Sequence, residues 1–330
     1  MIEQKKTLTQ INFEKTEFLH KDVWGTGIGF YTFMDEGVES GLTVDQTLNQ
    51  FDYDGFAREL HKLGAGFCIV TLNQTTKYFS IPNEAYEKYS GYPRGVATPN
   101  VDPVARLLDA FEPYGIDVLL NLSCDGPSKD PQAREGFGTI TYGTGLDHPP
   151  FSVEFVKKWS EVVRETSLRY GKKIKGWWFD GLFYEHGYTE EKVEMIANAA
   201  LCGNPDAVIA SNIYGLMQPP NERDEYMREG APTDHFTFGE MWTYEEIPEA
   251  PMLGHCRWHI WSWFTSPVPA IKRVDENENP IPYTKEYMRE YITKVHKAGG
   301  VVSLWIPSDR FGNLSDPKAN ELVSDLFGIN

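Results

Sequence analysis

Eight apolar runs of strand length, each followed by a longer amphipathic segment, constrain this 330-residue chain more than any other feature. The runs are Gly27–Phe33, Gly66–Leu72, Asp117–Ser123, Lys175–Gly181, Ala207–Ile213, His235–Met241, Cys256–Phe264 and Val301–Pro307. Near-continuous apolar runs suit strands of a parallel sheet covered on both faces, and the segments between them supply the crossover helices. Helical periodicity is clearest in Val153–Tyr170, where Val156, Trp159, Val163 and Leu168 share a stripe. Asp54–Lys62, Pro103–Tyr114, Glu190–Ala200, Lys285–Lys297 and Pro317–Leu326 read the same way, while Tyr214–Asp234 carries at most a short helix. Glycines at 64, 115, 171 and 299 stand just before the next strand, as helix C-caps do. The pattern predicts an α/β fold, a single-domain (β/α)₈ TIM barrel over residues 1–330. An open doubly wound sheet would need a glycine-rich phosphate fingerprint after its first strand, and none is present.

Composition narrows the function. A net charge of −17 opposes binding to nucleic acid or an anionic membrane surface, both of which select clustered Lys and Arg. No run approaches the roughly 18 apolar residues of a membrane span. The absence of a signal-like stretch after Met1 points to the cytoplasm for the chain as given, or to the periplasm or secretion if a leader has been removed. The four cysteines are isolated and the eight histidines scattered, so no metal site or cofactor is expected. Aromatic residues make up 14% of the chain, a supply suited to a cleft that stacks sugar rings as well as to the core. A carbohydrate is the expected partner.

In a barrel the chemistry lies at the carboxyl ends of the strands. Asp180 ends the apolar run Trp177-Trp178-Phe179, and Glu240 ends another two strands further on. Met241 and Trp242 beside Glu240 should lift its carboxyl toward the range of a general acid. Two carboxyl groups facing across one mouth fit glycoside cleavage, with Asp180 attacking or assisting and Glu240 protonating the departing oxygen. Glu245 or Glu246 could replace Glu240 in that role. Tyr31, Asn73, Gln74, Asn121, Trp178 and Asn212 are candidates for holding the sugar, with Trp242, Trp258 and Trp261 as stacking platforms. His255 and His259 share one run but are read as structural or substrate-bonded rather than metal-bound.

Leu168-Arg169-Tyr170-Gly171 followed by Gly176-Trp177-Trp178-Phe179-Asp180-Gly181 resembles a motif of the α-L-fucosidases of glycoside hydrolase family 29. Leu63-Gly64-Ala65-Gly66, Tyr114-Gly115-Ile116 and the stretch from Gly299 to Pro307 with Gly312 follow the same layout. The resemblance implies a retaining exo-glycosidase acting on an α-linked deoxy- or related sugar, with Asp180 as nucleophile and Glu240 in the region of the acid/base. The chain departs from that family where a His-His-Asp-Gly stretch is usual: it has Asn73-Gln74-Thr75-Thr76-Lys77-Tyr78, and it lacks the His of the first strand. Because one buried hydroxyl contact can change selectivity by powers of ten, a sugar other than plain fucose is expected. A barrel that keeps the pocket only to bind carbohydrate is the alternative from a different class.

Overall fold

The computed structural model describes residues 6–20, 23–141, 149–214, 229–240, 247–263 and 284–328. Seven parallel strands form one curled sheet in the order β5-β4-β3-β2-β1-β9-β8. These are β1 Trp24–Gly29, β2 Ala65–Thr71, β3 Asp117–Ser123, β4 Ile174–Asp180, β5 Val208–Ser211, β8 His259–Trp263 and β9 Val301–Trp305. A small antiparallel pair, β6 Met252–Leu253 and β7 Cys256–Arg257, stands apart. Twelve α-helices occur among the described residues.

The sheet is barrel-like, but its ladder is not closed, which corrects the eight-stranded expectation. His235–Met241 was expected as the sixth strand; its described part makes only isolated parallel bridges, Phe236 with Arg257 and Glu240 with Trp261. Gly239 explains the break. Its φ of 73° leaves the extended region, and a Cβ there would lie 2.0 Å from the His259 carbonyl oxygen. The segment still lies between the sheet's two edges, with His235 N donating to Ile209 O at 2.8 Å and Trp261 N to Gly239 O at 2.7 Å.

The first strand is also displaced, to Trp24–Gly29, and Phe30 opens a helix through Glu39. Phe30, Phe33 and Met34 are buried at helical spacing and belong to a helix face rather than to a strand. The strand proper is glycine-rich for a steric reason: a Cβ on Gly25 would lie 2.0 Å from the Phe67 ring, and one on Gly27 would lie 2.2 Å from the Trp305 ring. The expected seventh strand splits into β7 and β8; Phe264 and most of Tyr214–Asp234 lie outside the described residues.

Alternation divides the sheet's two faces. Cys68, Val70, Val118, Leu120, Trp177, Phe179, Ile209, Val302 and Leu304 face the helices. The helix Val153–Tyr170 shows how that outer layer forms: Ser152 caps it by accepting from Phe155 N, and Phe155, Trp159, Val162, Val163, Thr166 and Tyr170 are buried. Leu168, expected on that stripe, is 52% exposed, because the buried face runs through 166 and 170 instead. Each large apolar side chain so buried contributes roughly 1.5–3 kcal/mol. Gly64, Gly115, Gly171 and Gly299 all have positive φ at the expected helix ends. The inner face holds Phe67, Ile69, Leu119, Trp178, Val208, Ala210, Phe236, Phe238, Trp261 and Val301, sealed at one end by Leu19 of the short helix Glu17–His20. No helix among the described residues is long and apolar enough to cross a membrane.

Candidate active site

Following the inward register toward the carboxyl ends, the apolar layer gives way to polar groups: Ile69 to Thr71, Leu119 to Asn121, Trp178 to Asp180, Phe238 to Glu240. There a cavity of about 250 Å³ opens, bounded by these four polar residues together with Tyr31 and Gln74, over a wall of Trp178, Trp261 and Trp305. The wall is fixed by stacking and by the backbone. Trp178 lies on Phe238 with centroids 3.7 Å apart and planes 6° apart, and its indole N–H donates to Phe238 O at 2.8 Å. Trp261 tilts against Trp178 at 5.0 Å and meets Trp305 edge-on at 5.9 Å.

Asp180 is half-buried at the end of β4 and takes three N–H donors. Oδ1 accepts from Gly181 N at 2.8 Å and from Asn212 Nδ2 at 3.0 Å, and Oδ2 accepts from Gln74 Nε2 at 2.9 Å. The strand's register sets Asp180 beside Ser123, and its carbonyl accepts from Cys124 N at 2.7 Å. Three titratable neighbours respond to it: Tyr31, Asp125 and Cys124, whose thiol is pushed well up by burial, Asp125 and Asp180 together. Burial first, and the Asp180 charge second, push the Tyr31 phenol up to about 12, so it remains a neutral donor. The same two causes in the same order push the Asp125 carboxyl up to about 8 against the opposing pull of Lys129. Asp125 is therefore a neutral acid at pH 7, packed against Gly181, whose missing Cβ would lie 3.1 Å from the Asp125 carboxyl carbon.

Gln74 reaches Asp180 from a strained loop. Thr75, with φ of 63°, is the one non-glycine residue with positive φ among the described residues. A β-branched side chain in that region is a genuine outlier, with a strain on the order of 1–3 kcal/mol. Asn73 braces the turn by donating from Nδ2 to Thr76 O at 2.8 Å and Tyr78 O at 2.7 Å.

Of the residues singled out in the sequence, Asp180, Glu240, Tyr31, Gln74, Asn121, Trp178 and Trp261 are brought around the cavity, and Asn212 is held on Asp180. Two are not. Asn73 is committed to its own loop, and Trp258 is fully buried in the outer core, where its indole packs on Gly300. Trp258 is the residue between β7 and β8 and has the parity of the outer face, which the single long run concealed. Trp242, Glu245 and Glu246 lie outside the described residues. Thr71 and Trp305 line the cavity unforeseen, although each sits two or four residues beyond another inward residue, so strict alternation would have found them.

His259 is structural. Its Nδ1 faces the carbonyls of Thr237 and Phe238 at 3.3 and 3.1 Å, and its Nε2 is 2.9 Å from Ser303 Oγ. Burial pushes it down to about 4, so it is neutral, with Nδ1 as the donor those carbonyls require. His255 pairs with Glu229 away from the cavity. No group of three or more His, Cys, Asp or Glu residues that could hold a metal ion gathers among the described residues.

No family model matches the chain, and no curated protein matches it in sequence. Solved structures do match in fold. An endo-fucoidan hydrolase of glycoside hydrolase family 107 superposes with a TM-score of 0.66 at 14% identity, covering 94% of this chain and 92% of that one. α-L-Fucosidase isoenzyme 1 from Paenibacillus thiaminolyticus gives 0.60 at 15%, covering 96% and 75%. A family 29 α-L-fucosidase from Bacteroides thetaiotaomicron gives 0.59 at 13%, covering 98% and 73%. The family 29 resemblance thus widens to a fold that two glycoside hydrolase families share with this chain.

Proposed function

We propose that this protein is a glycoside hydrolase that removes an α-linked deoxy- or related sugar by a retaining, two-carboxylate mechanism, with Asp180 as nucleophile and Glu240 as general acid/base. One observation carries the reading: a carboxylate oriented by three N–H donors opens onto an aromatic-walled cavity that Glu240 also lines. The fold's neighbours support it, being named as fucosidases and a fucoidan hydrolase.

In the first step Asp180 attacks the anomeric carbon while the carboxylic acid of Glu240 gives its proton to the departing oxygen. In the second, the Glu240 carboxylate takes a proton from water, which displaces Asp180 and restores both groups. On this reading the apolar wall of Trp178, Trp261 and Trp305 would meet the ring and the methyl group of a deoxysugar, and Tyr31 and the Asn121 amide oxygen would meet its hydroxyls. The cavity, near 250 Å³, falls below the roughly 300–1,000 Å³ of sites for larger ligands and suits one sugar ring, hence exo cleavage.

A panel of aryl glycosides, fucoside, galactoside, rhamnoside and arabinoside among them, tests this reading. Turnover with retained anomeric configuration is expected for at least one. The stretch Asn73-Gln74-Thr75-Thr76, standing where the family's histidine pair is usual, predicts that the simple α-L-fucoside is not the best of them. Saturable sugar binding with no product from any member would instead support a binding barrel.

A further inference from the structure

Asp180's two oxygens are held unequally. Among the described residues Oδ1 takes two donors, Gly181 N and Asn212 Nδ2, whereas Oδ2 takes only Gln74 Nε2. Gln74 itself has little freedom, because the chain before it is tied to β3 and the chain after it to the loop that follows β3. Leu72 N donates to Asn121 O at 2.9 Å and Ser123 N to Asn73 O at 3.2 Å. On the far side Lys129 N donates to Thr75 O at 2.9 Å, and Thr75 Oγ1 donates to Gln74 O at 2.6 Å. The left-handed turn at Thr75 is buried and over-determined by these bonds, the condition under which local strain persists at sites that need a fixed geometry.

Resting on the proposed role of Asp180 as nucleophile, we infer that Gln74 is a positioning residue that selects Oδ2 as the attacking oxygen. In the first step an electron pair on Oδ2 forms the bond to the anomeric carbon as the bond to the leaving oxygen breaks. Oδ1 becomes the ester carbonyl and keeps both donors. Oδ2 becomes an ester oxygen, a poor acceptor, so the Gln74 amide is released. In the second step water attacks the anomeric carbon, the pair returns to Oδ2, and the Gln74 amide receives the departing carboxylate. Gln74 therefore acts through Asp180 in both steps rather than by holding the sugar.

The test uses the whole chain and the aryl glycoside it turns over best, with Gln74→Met, Gln74→Glu and Asp180→Ala measured beside the unaltered protein. Gln74→Met keeps the volume and removes the donor. Loss of a hydrogen bond to a charged group predicts kcat down roughly 10- to 100-fold, with KM within a few-fold. Gln74→Glu sets a second carboxyl against Oδ2, and two carboxyls sharing a site raise one titration, so the acid limb of kcat/KM should move up by about one pH unit or more. The other titratable groups facing Asp180 are Tyr31 on its helix, Cys124 and Asp125 after β3, and Glu240 across the cavity. Burial holds the first three protonated throughout the acid range, so they do not contribute to that limb. An unchanged kcat in Gln74→Met, a loss confined to KM, or an unmoved acid limb in Gln74→Glu overturns the inference. Melting curves accompany each variant, and the limb's position in Gln74→Glu is independent of how much protein is folded. Wild-type turnover in Asp180→Ala would remove the nucleophile reading itself, a result distinct from any of these.

Discussion

The two ends of the sheet's interior are built from the same strands yet do opposite work. At the amino ends Phe67, Val208, Phe236 and Val301 share one apolar cluster with Leu19, which is fully buried. The plug is held by polar bonds at its edge. Arg257, itself fully buried, donates to Thr16 O at 3.1 Å and to Glu17 Oε2 at 2.8 Å, and its guanidinium lies 4.3 Å from the Phe13 ring centroid. Asn12 adds bonds to Asp234 O and His255 O. Four residues along, the carboxyl ends present Thr71, Asn121, Asp180 and Glu240 to an open cavity. The difference teaches that alternation fixes which residues face inward, while position along the strand fixes whether the inward group seals the interior or opens onto a cavity.

The largest effect is expected at the open end. On the proposed mechanism, Asp180→Ala should lower turnover by at least about 10³-fold, since a lost nucleophile is not replaced by neighbouring groups. Its melting temperature should stay near that of the unaltered protein, because the packing of Trp178 does not depend on the carboxylate. Azide should restore part of the activity and give a glycosyl azide of inverted configuration. Glu240→Gln comes next. It should slow substrates with poor leaving groups by about 10²–10⁴-fold and activated aryl glycosides far less, because only the former need a proton in the transition state. Equal losses on both classes would move the acid role elsewhere.

The plugged end should answer in the opposite currency. Leu19→Ala leaves a hole in the inner apolar cluster and should cost about 2–5 kcal/mol of stability by denaturant unfolding. The folded fraction should keep its kcat. A variant that unfolds no more easily yet loses activity would break the division between the two ends.

Much of this was legible in the sequence for a physical reason. β3 matches its expected bounds, and β2 and β4 lie one residue from theirs, since a strand covered on both faces needs an apolar run that few other structures tolerate. Asp180 was legible because it interrupts such a run. The misses share a different cause. Gly25, Gly27 and Gly29 carry no apolar signal, as the interior there is filled by Phe67 and Trp305 from other strands, so the neighbouring helix residues Phe30 and Phe33 drew the strand forward. The His235–Met241 run has the composition of a strand, but the positive φ of Gly239 is a tertiary requirement set by the His259 carbonyl. The neutral Asp125 and the strained Thr75 likewise depend on what folds over them, which no local pattern records.

The smallest effect separates buried acids from buried bases by pH. Burial pushes Asp125 and Asp234 each up to about 8, Asp234 despite hydrogen bonds from Ser211 and Ala231 that pull it down. Burial pushes His235 and His259 down to about 4, and His235 Nδ1 accepts from Ile209 N at 3.1 Å, a bond open only to the neutral ring. An unfolded carboxyl titrates near about 3.9, so between about pH 4 and 8 the folded chain holds protons the unfolded chain has released, and stability falls as pH rises. An unfolded imidazole titrates near about 6.5, so between about pH 4 and 6.5 the unfolded chain holds the extra protons, and stability rises with pH. With two groups on each side, the slopes offset one another up to about pH 6.5; above it only the carboxyls remain. Stability should then decline by about 1–3 kcal/mol between pH 6.5 and 8. Urea unfolding at pH 5, 6.5 and 8 reads this out, and Asp234→Asn should remove about half of the upper decline. A stability that keeps rising from pH 6.5 to 8 would mean that these carboxyls are ionised in the folded chain, and would return Asp125 to the site as a second negative charge beside Asp180.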